Sequence, residues 1–273
     1  MKDADCVEFL RWALPQLELR WPGFRKVRRQ VCKRVGRRLK ELGLETIRQY
    51  RERLNADPEE WAVLDAACRI TVSRFYRDSQ VFAVLRREIV PALAQNACAE
   101  ARAVRSWCAG CASGEEVYTL RILWAAEIQA RFPEIGFEIV GTDADPVMIR
   151  RARQGCYSRG SLEDMPPEWL SRGFTRSNAT YCVADAYRRD VAFLLQDIRS
   201  EAPPGPFDLV LCRNLAFTYF MPAPQRDTLD RIAAVLRPRG YLVVGVRERL
   251  PQGARGYRAL TGCREIYRRD EAA

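Results

Sequence analysis

Ala103-Val104-Arg105-Ser106-Trp107, running into Cys108-Ala109-Gly110-Cys111-Ala112-Ser113-Gly114, is the stretch on which the fold turns. A short run suited to a strand gives way to seven small residues, and Glu116 to Ala130 then has the pattern of a helix. The unit repeats downstream. Phe137-Glu138-Ile139-Val140-Gly141-Thr142-Asp143 reads as a strand ending in an acid, and Val147 to Gln154 as a helix. Val191–Leu195 and Phe207–Cys212 read as further strands, Gln225–Leu236 as a helix, Pro238-Arg239-Gly240 as a turn and Tyr241–Val246 as a last strand. Strands alternating with helices predict an α/β fold with a doubly wound, mostly parallel sheet. Ligands in that architecture bind at the carboxyl ends of the strands.

Three features fall at those ends. The small residues of 108–114 let backbone approach a ligand, and the helix behind them offers free N–H groups. Asp143 can bond both hydroxyls of a ribose. Asp145 is the better N-cap for the next helix, which leaves Asp143 for a ligand. In Gln196-Asp197-Ile198 the polar residue can accept from an adenine amino group while Ile198 packs on the ring. Each feature alone also fits a tight turn or a loop carboxylate, and the three in register weigh more than any one. Trp107-Cys108-Ala109-Gly110-Cys111 also resembles a redox dithiol. The helix starts too late after Cys111 for that, the chain is longer than a thioredoxin module, and no second CxxC exists for a zinc site.

Upstream, residues 1–69 read as helical. Phe24, Val27, Val31, Val35, Leu39 and Leu42 form one apolar face of a helix over 24–42. Ten Lys or Arg fall between Arg20 and Lys40. That charge reads either as a solvated face or as a docking surface for an acidic partner. A second helix is predicted over Glu45–Leu54, and a third from Asp57 (N-cap) and Pro58 to about Cys68.

Composition narrows the chemistry. The 273 residues suit a main domain with a small one appended, and the net charge of +10 favours anionic partners. There is no histidine, which removes Ser-His-Asp and Cys-His nucleophiles, imidazole bases and histidine-ligated zinc. No metal site is expected. No run approaches the ~18–20 apolar residues of a membrane span, and the N-terminus lacks the pattern of a secretory signal. The ten cysteines, such as Cys68, Cys156 and Cys212, are therefore expected to be reduced, buried thiols in a cytoplasmic protein.

Several segments together resemble one family. Thr71-Val72-Ser73-Arg74-Phe75-Tyr76-Arg77-Asp78 resembles the TxFFRD signature of CheR-type chemotaxis receptor methyltransferases. Ala112-Ser113-Gly114-Glu115-Glu116-Val117-Tyr118 resembles their ASTGEEPYS loop, and Gly141-Thr142-Asp143-Ala144-Asp145 their SDID segment. Phe207–Asn214 resembles FDxIFCRN, and Leu236-Arg237-Pro238-Arg239-Gly240-Tyr241-Leu242 resembles LKPGGxL. The likeness runs in order from about residue 30 to 250. It implies a Rossmann-like class I methyltransferase sheet over 79–273, a small all-α N-terminal domain and linker over 1–78, and a short β insert near 174–193. It also implies S-adenosylmethionine as cofactor, held by Thr71, Ser73, Arg77, Glu116, Asp143, Asp197, Ile198, Arg213 and Asn214. The reaction implied is methyl esterification of glutamates on a chemoreceptor helical bundle; the basic helix 24–42, from its charge, is then the expected dock, and a monomer is expected. Arg77 and Tyr219 are the implied catalytic residues, Arg77 steering the incoming carboxylate and Tyr219 positioning it. Two segments depart from the family. Cys212–Phe220 carries one extra residue before its Tyr-Phe pair, and the GHSE loop reads Gly245-Val246-Arg247-Glu248. Another acceptor, or a non-catalytic docking module, are the alternatives. A nucleic-acid substrate is disfavoured because Arg213-Asn214-Leu215-Ala216 stands where an NPPY-type loop would.

Overall fold

A computed structural model describes residues 3–271. The chain divides into two compact units, one of residues 1–70 with 218–225, the other of residues 71–217 with 226–273.

The first unit is helical: α1 Asp3–Gln16, α2 Trp21–Phe24, α3 Arg28–Glu41, α4 Ile47–Ala56 and α5 Pro58–Cys68. Val31, Val35 and Leu39 of α3 are buried, as their spacing predicts. The expected single helix over 24–42 is instead broken. Pro22 starts the short α2, and a turn at 25–27 separates it from α3, with the Arg28 guanidinium donating to the Arg25 carbonyl at 2.8 Å. Thr46 and Gln49 form a reciprocal capping box on α4, and Asp57 caps α5 ahead of Pro58. Not all the basic residues of α3 face water. Arg38 holds the buried Glu60 through two bonds of 2.9 and 2.8 Å, and Arg34 donates to the Ala67 carbonyl at 3.1 Å.

The second unit comprises α6 Ser79–Val84, α7 Val90–Ala99, β1 Val104–Ala109, α8 Glu115–Glu127, β2 Phe137–Asp143, α9 Pro146–Gln154, β3 Cys156–Ser158, α10 Pro167–Gly173, β4 Phe174–Ser177, β5 Thr180–Val183, β6 Val191–Leu195, β7 Phe207–Cys212, β8 Leu236–Val244, β9 Tyr257–Leu260 and β10 Cys263–Arg269. Two helices, α11 Ala216–Tyr219 and α12 Pro222–Val235, run between the units in sequence. The main sheet has the order β6-β2-β1-β7-β8-β10-β9. Its first five strands are parallel, and β10 is antiparallel to both neighbours. This is a Rossmann-like doubly wound sheet whose order reverses between β1 and β7. The predicted strand at 241–246 begins earlier, pairing from Leu236, and stops at Val244, which leaves 245–248 as a loop. The β9–β10 hairpin is absent from the sequence reading. A separate three-stranded sheet, β3-β5-β4, makes up the insert.

The expectation of uniformly reduced thiols is corrected. Cys6 bonds Cys32, and Cys156 bonds Cys182 across the β3–β5 pair, with Cα–Cα distances of 6.0 and 4.0 Å. The pairs meet only in space, each 26 residues apart in the chain. Cys68, Cys98, Cys108, Cys111, Cys212 and Cys263 stand outside these disulfides.

Candidate active site

Strand register gathers the site. Leu195 pairs with Asp143, Thr142 with Ala109, Ala109 with Cys212, and Cys212 with Val244. The carboxyl ends of five neighbouring strands therefore lie side by side, and Asp143, Asp197, Ile198, Arg213 and Asn214 stand at or just beyond them.

The loop after β1 turns through left-handed backbone at Gly110, Ala112 and Gly114. It is tied to β2: the Gly110 and Cys111 N–H groups donate to the Thr142 carbonyl at 2.8 and 2.9 Å, and the Ala112 N–H to Asp143 Oδ2 at 2.9 Å. Asp143 Oδ1 accepts from the Asp145 N–H at 2.9 Å, while Asp145 caps α9. Asp143 is thus half-buried and accepts a backbone N–H on each of its oxygens. Cys108 and Cys111 are buried, and burial pushes both thiols well above the ordinary range, which opposes a thiolate-based redox dithiol.

Segment 71–78 packs with the second unit. Phe75 is buried edge-on to Tyr157 and Phe174, with ring centroids 4.8 and 5.1 Å away, and Tyr76 stacks on Phe82 at 5.3 Å. These aromatics pin the strap and leave Thr71, Ser73 and Arg77 partly exposed. Arg77 donates to the Val72 carbonyl at 3.2 Å and pairs with no described carboxylate.

Arg213 takes the acids instead. Its guanidinium bonds Glu116 Oε2 at 2.5 Å, Asp78 Oδ2 at 2.7 Å and the Arg77 carbonyl at 3.0 Å, and lies 5.3 Å over the Phe82 ring. Burial disfavours its charge, but the Glu116 and Asp78 carboxylates outweigh that and hold its pKa above the usual value. Arg213 therefore ties the loop after β7 to the strap and to the first turn of α8.

Beyond β2 and β6, Asp197 accepts from its own near neighbour: the Arg199 N–H donates to Oδ1 at 2.9 Å and the guanidinium Nη2 to Oδ2 at 2.7 Å. Ile198 is 4% exposed. Gln196 Oε1 is buried without a partner. Asn214 follows β7 with φ of 55°. Tyr219 belongs to the helical unit, where its ring lies 5.0 Å from that of Phe24 and its carbonyl accepts from the Arg20 N–H at 2.8 Å.

Two acids that the motifs contain, but to which the sequence assigns no role, are buried. Glu115 is 2% exposed, accepts from Ser113 Oγ at 2.7 Å, and keeps Oε2 without a partner; burial raises its pKa. Glu248, also buried, accepts from backbone on two different loops. Their motifs place them in the sequence, and their burial and partners come from spatial neighbours.

Residues 71–265 match the family model described as CheR methyltransferase, SAM binding domain. A chemotaxis protein methyltransferase of Listeria innocua is 29% identical over 66% of this chain and 66% of its own length. That of Salmonella typhimurium is 28% identical over 81% of this chain and 76% of its own. A 104.1 kDa protein from the hypE 3′ region of Rhodobacter capsulatus is 33% identical over 87% of this chain, which spans 25% of that protein. With its sheet order, its strand-end loops and a match over most of its length, the chain belongs to the S-adenosylmethionine-dependent CheR methyltransferase family.

Proposed function

We propose that this chain transfers the methyl group of S-adenosylmethionine to glutamate side chains of an acidic, helical protein acceptor of the chemoreceptor kind, giving methyl esters. The observation that carries the reading is the row of adjacent strand ends β6-β2-β1-β7, with Asp197 after β6, Asp143 at the end of β2 and Asn214 after β7. The donor set suits the cofactor. Asp143 answers the ribose hydroxyls, Asp197 and Ile198 the adenine, and Thr71, Ser73, Arg77, Glu116, Arg213 and Asn214 the methionine end. Arg213 acts from beneath, keeping Glu116 and the Arg77 backbone in place.

Bound here, the cofactor supplies an electrophilic methyl on a sulfonium. An acceptor carboxylate held in line with that methyl would receive it, with sulfur keeping the bonding pair. A glutamate is already ionised near neutral pH, with reference pKa ~4.3, so a chain without histidine lacks nothing. The work of its residues is alignment and exclusion of water. Arg77, unpaired with any described acid, steers the carboxylate. Tyr219 is assigned a positioning role on the acceptor side.

The acceptor docks on the helical unit, on the exposed Arg25, Lys26, Arg29, Lys33, Arg37 and Lys40. No described helix is long and apolar enough to cross a membrane. The enzyme acts as a monomer in the cytoplasm. The test is transfer of a radiolabelled methyl group into a lysate, with identification of the labelled species. Base-labile label on a protein is expected. Base-stable label, or label on a small acid, would redirect the acceptor assignment; no label with intact cofactor binding would leave a docking module.

A further inference from the structure

The carboxylate of Glu248 is 1% exposed and lies between two loops that are far apart in sequence. Its Oε2 accepts from the Asn214 N–H at 2.7 Å and from the Gly245 N–H at 2.6 Å, and its Oε1 from the Leu215 N–H at 3.1 Å. Its own N–H donates back to the Gly245 carbonyl at 2.8 Å. One anion thus gathers three backbone donors from the loops after β7 and β8, whose strands pair at Cys212 and Val244. The pattern asks for a carboxylate. A glutamine of the same shape would turn an N–H toward backbone N–H groups.

The geometry at Asn214 shows what the anchor is for. Asn214 has φ of 55°, a left-handed conformation that a residue with a side chain adopts at a cost. Glu248 grips the N–H groups of that residue and the next. Gly245 completes the arrangement: a Cβ there would stand 2.8 Å from Asn214 Oδ1 and 2.8 Å from Glu248 Oε2. The Asn214 side chain therefore packs directly on the Gly245 backbone, in a place fixed from below by the Glu248 carboxylate.

We infer that Glu248 is a positioning residue for cofactor binding and methyl transfer: by joining the loops after β7 and β8 it sets the direction in which Asn214 presents its amide. The inference rests on the cofactor site proposed above. It also gives the Gly245–Glu248 segment, otherwise a departure from the family pattern, a role in the chemistry.

The test uses the full chain and S-adenosylhomocysteine, titrated calorimetrically well below the unfolding temperature. The variants are Glu248→Gln, Asn214→Ala and the two combined, each checked for wild-type circular dichroism. Glu248→Gln is expected to raise Kd about tenfold, the scale of one lost hydrogen bond to a charged group. Asn214→Ala is expected to do the same, and the double variant to be no worse than either single one, because both act through one side chain. Wild-type affinity in Glu248→Gln, or additive losses in the double variant, would overturn the inference. Should Glu248→Gln not fold, Gly245→Ala keeps the carboxylate and disturbs the same contact. A Kd raised about tenfold then supports the inference, and an unchanged Kd rejects it. No heat from the wild type would sink the cofactor assignment itself and this inference with it, a result unlike binding that Glu248→Gln leaves intact.

Discussion

Arg77 and Arg213 both belong to the motifs read from sequence, yet they do different work. Arg213 is buried between Asp78 and Glu116, whereas the Arg77 guanidinium donates to the Val72 carbonyl. Arg213→Met strands two carboxylates in a poorly hydrated place, so denaturant unfolding should show a loss of about 3–5 kcal/mol. Arg77→Ala should change stability by no more than about 0.5 kcal/mol yet lower turnover by about 100-fold, the scale of a misplaced reactant. Unchanged turnover would remove Arg77 from the chemistry. Both arginines enter the proposed site from the sequence because the motifs around them are dense. Which one takes the acids was not, since Arg213 stands 135 residues from Asp78 and 97 from Glu116.

At the scale of elements, local chemistry wrote most of the boundaries. Asp57, Pro58 and Asp145 mark helix starts by their side-chain chemistry, and the structure keeps them there. Thr46→Ala breaks the α4 capping box and should cost about 1 kcal/mol in thermal unfolding. Packing between elements was hidden. A Cβ on Gly141 of β2 would meet Val117 of α8 at 2.9 Å and Phe193 of β6 at 3.0 Å. Gly141→Ala should therefore destabilise the second unit by about 1–3 kcal/mol, measured by urea denaturation. The β9–β10 hairpin escaped notice because its residues alternate charged and apolar around Gly262 without a strong turn signal, and its pairing with β8 is what defines it. The break at 25–27 was missed for the opposite reason: apolar spacing runs through it although the helix does not.

For the whole molecule, pH and ligand should act on different parts. In the helical unit, the hydrogen bonds from Arg38 lower the Glu60 pKa from its ordinary 4.5, against the opposing effect of burial. The folded state then binds fewer protons than the unfolded one below that value. The stabilisation is complete above pH 4.5 and lost as pH falls through the lower, folded value. Glu60→Gln should flatten the acid side of a plot of unfolding temperature against pH; an unchanged slope would assign acid sensitivity elsewhere. In the second unit, S-adenosylhomocysteine at about 100 times its Kd should add about 2.7 kcal/mol to stability. By itself the sequence determined the class of fold, the strand-end acids, the helix caps and the family, because periodicity, capping and short motifs are written in neighbouring residues. Only the tertiary structure decided the two disulfides, the capture of Asp78 and Glu116 by Arg213, the clamp of Arg199 on Asp197 and the seat of Asn214 on Glu248. Burial and proximity arise when strands and loops distant in the chain are brought edge to edge, and a buried charge takes whichever partner the fold places within reach.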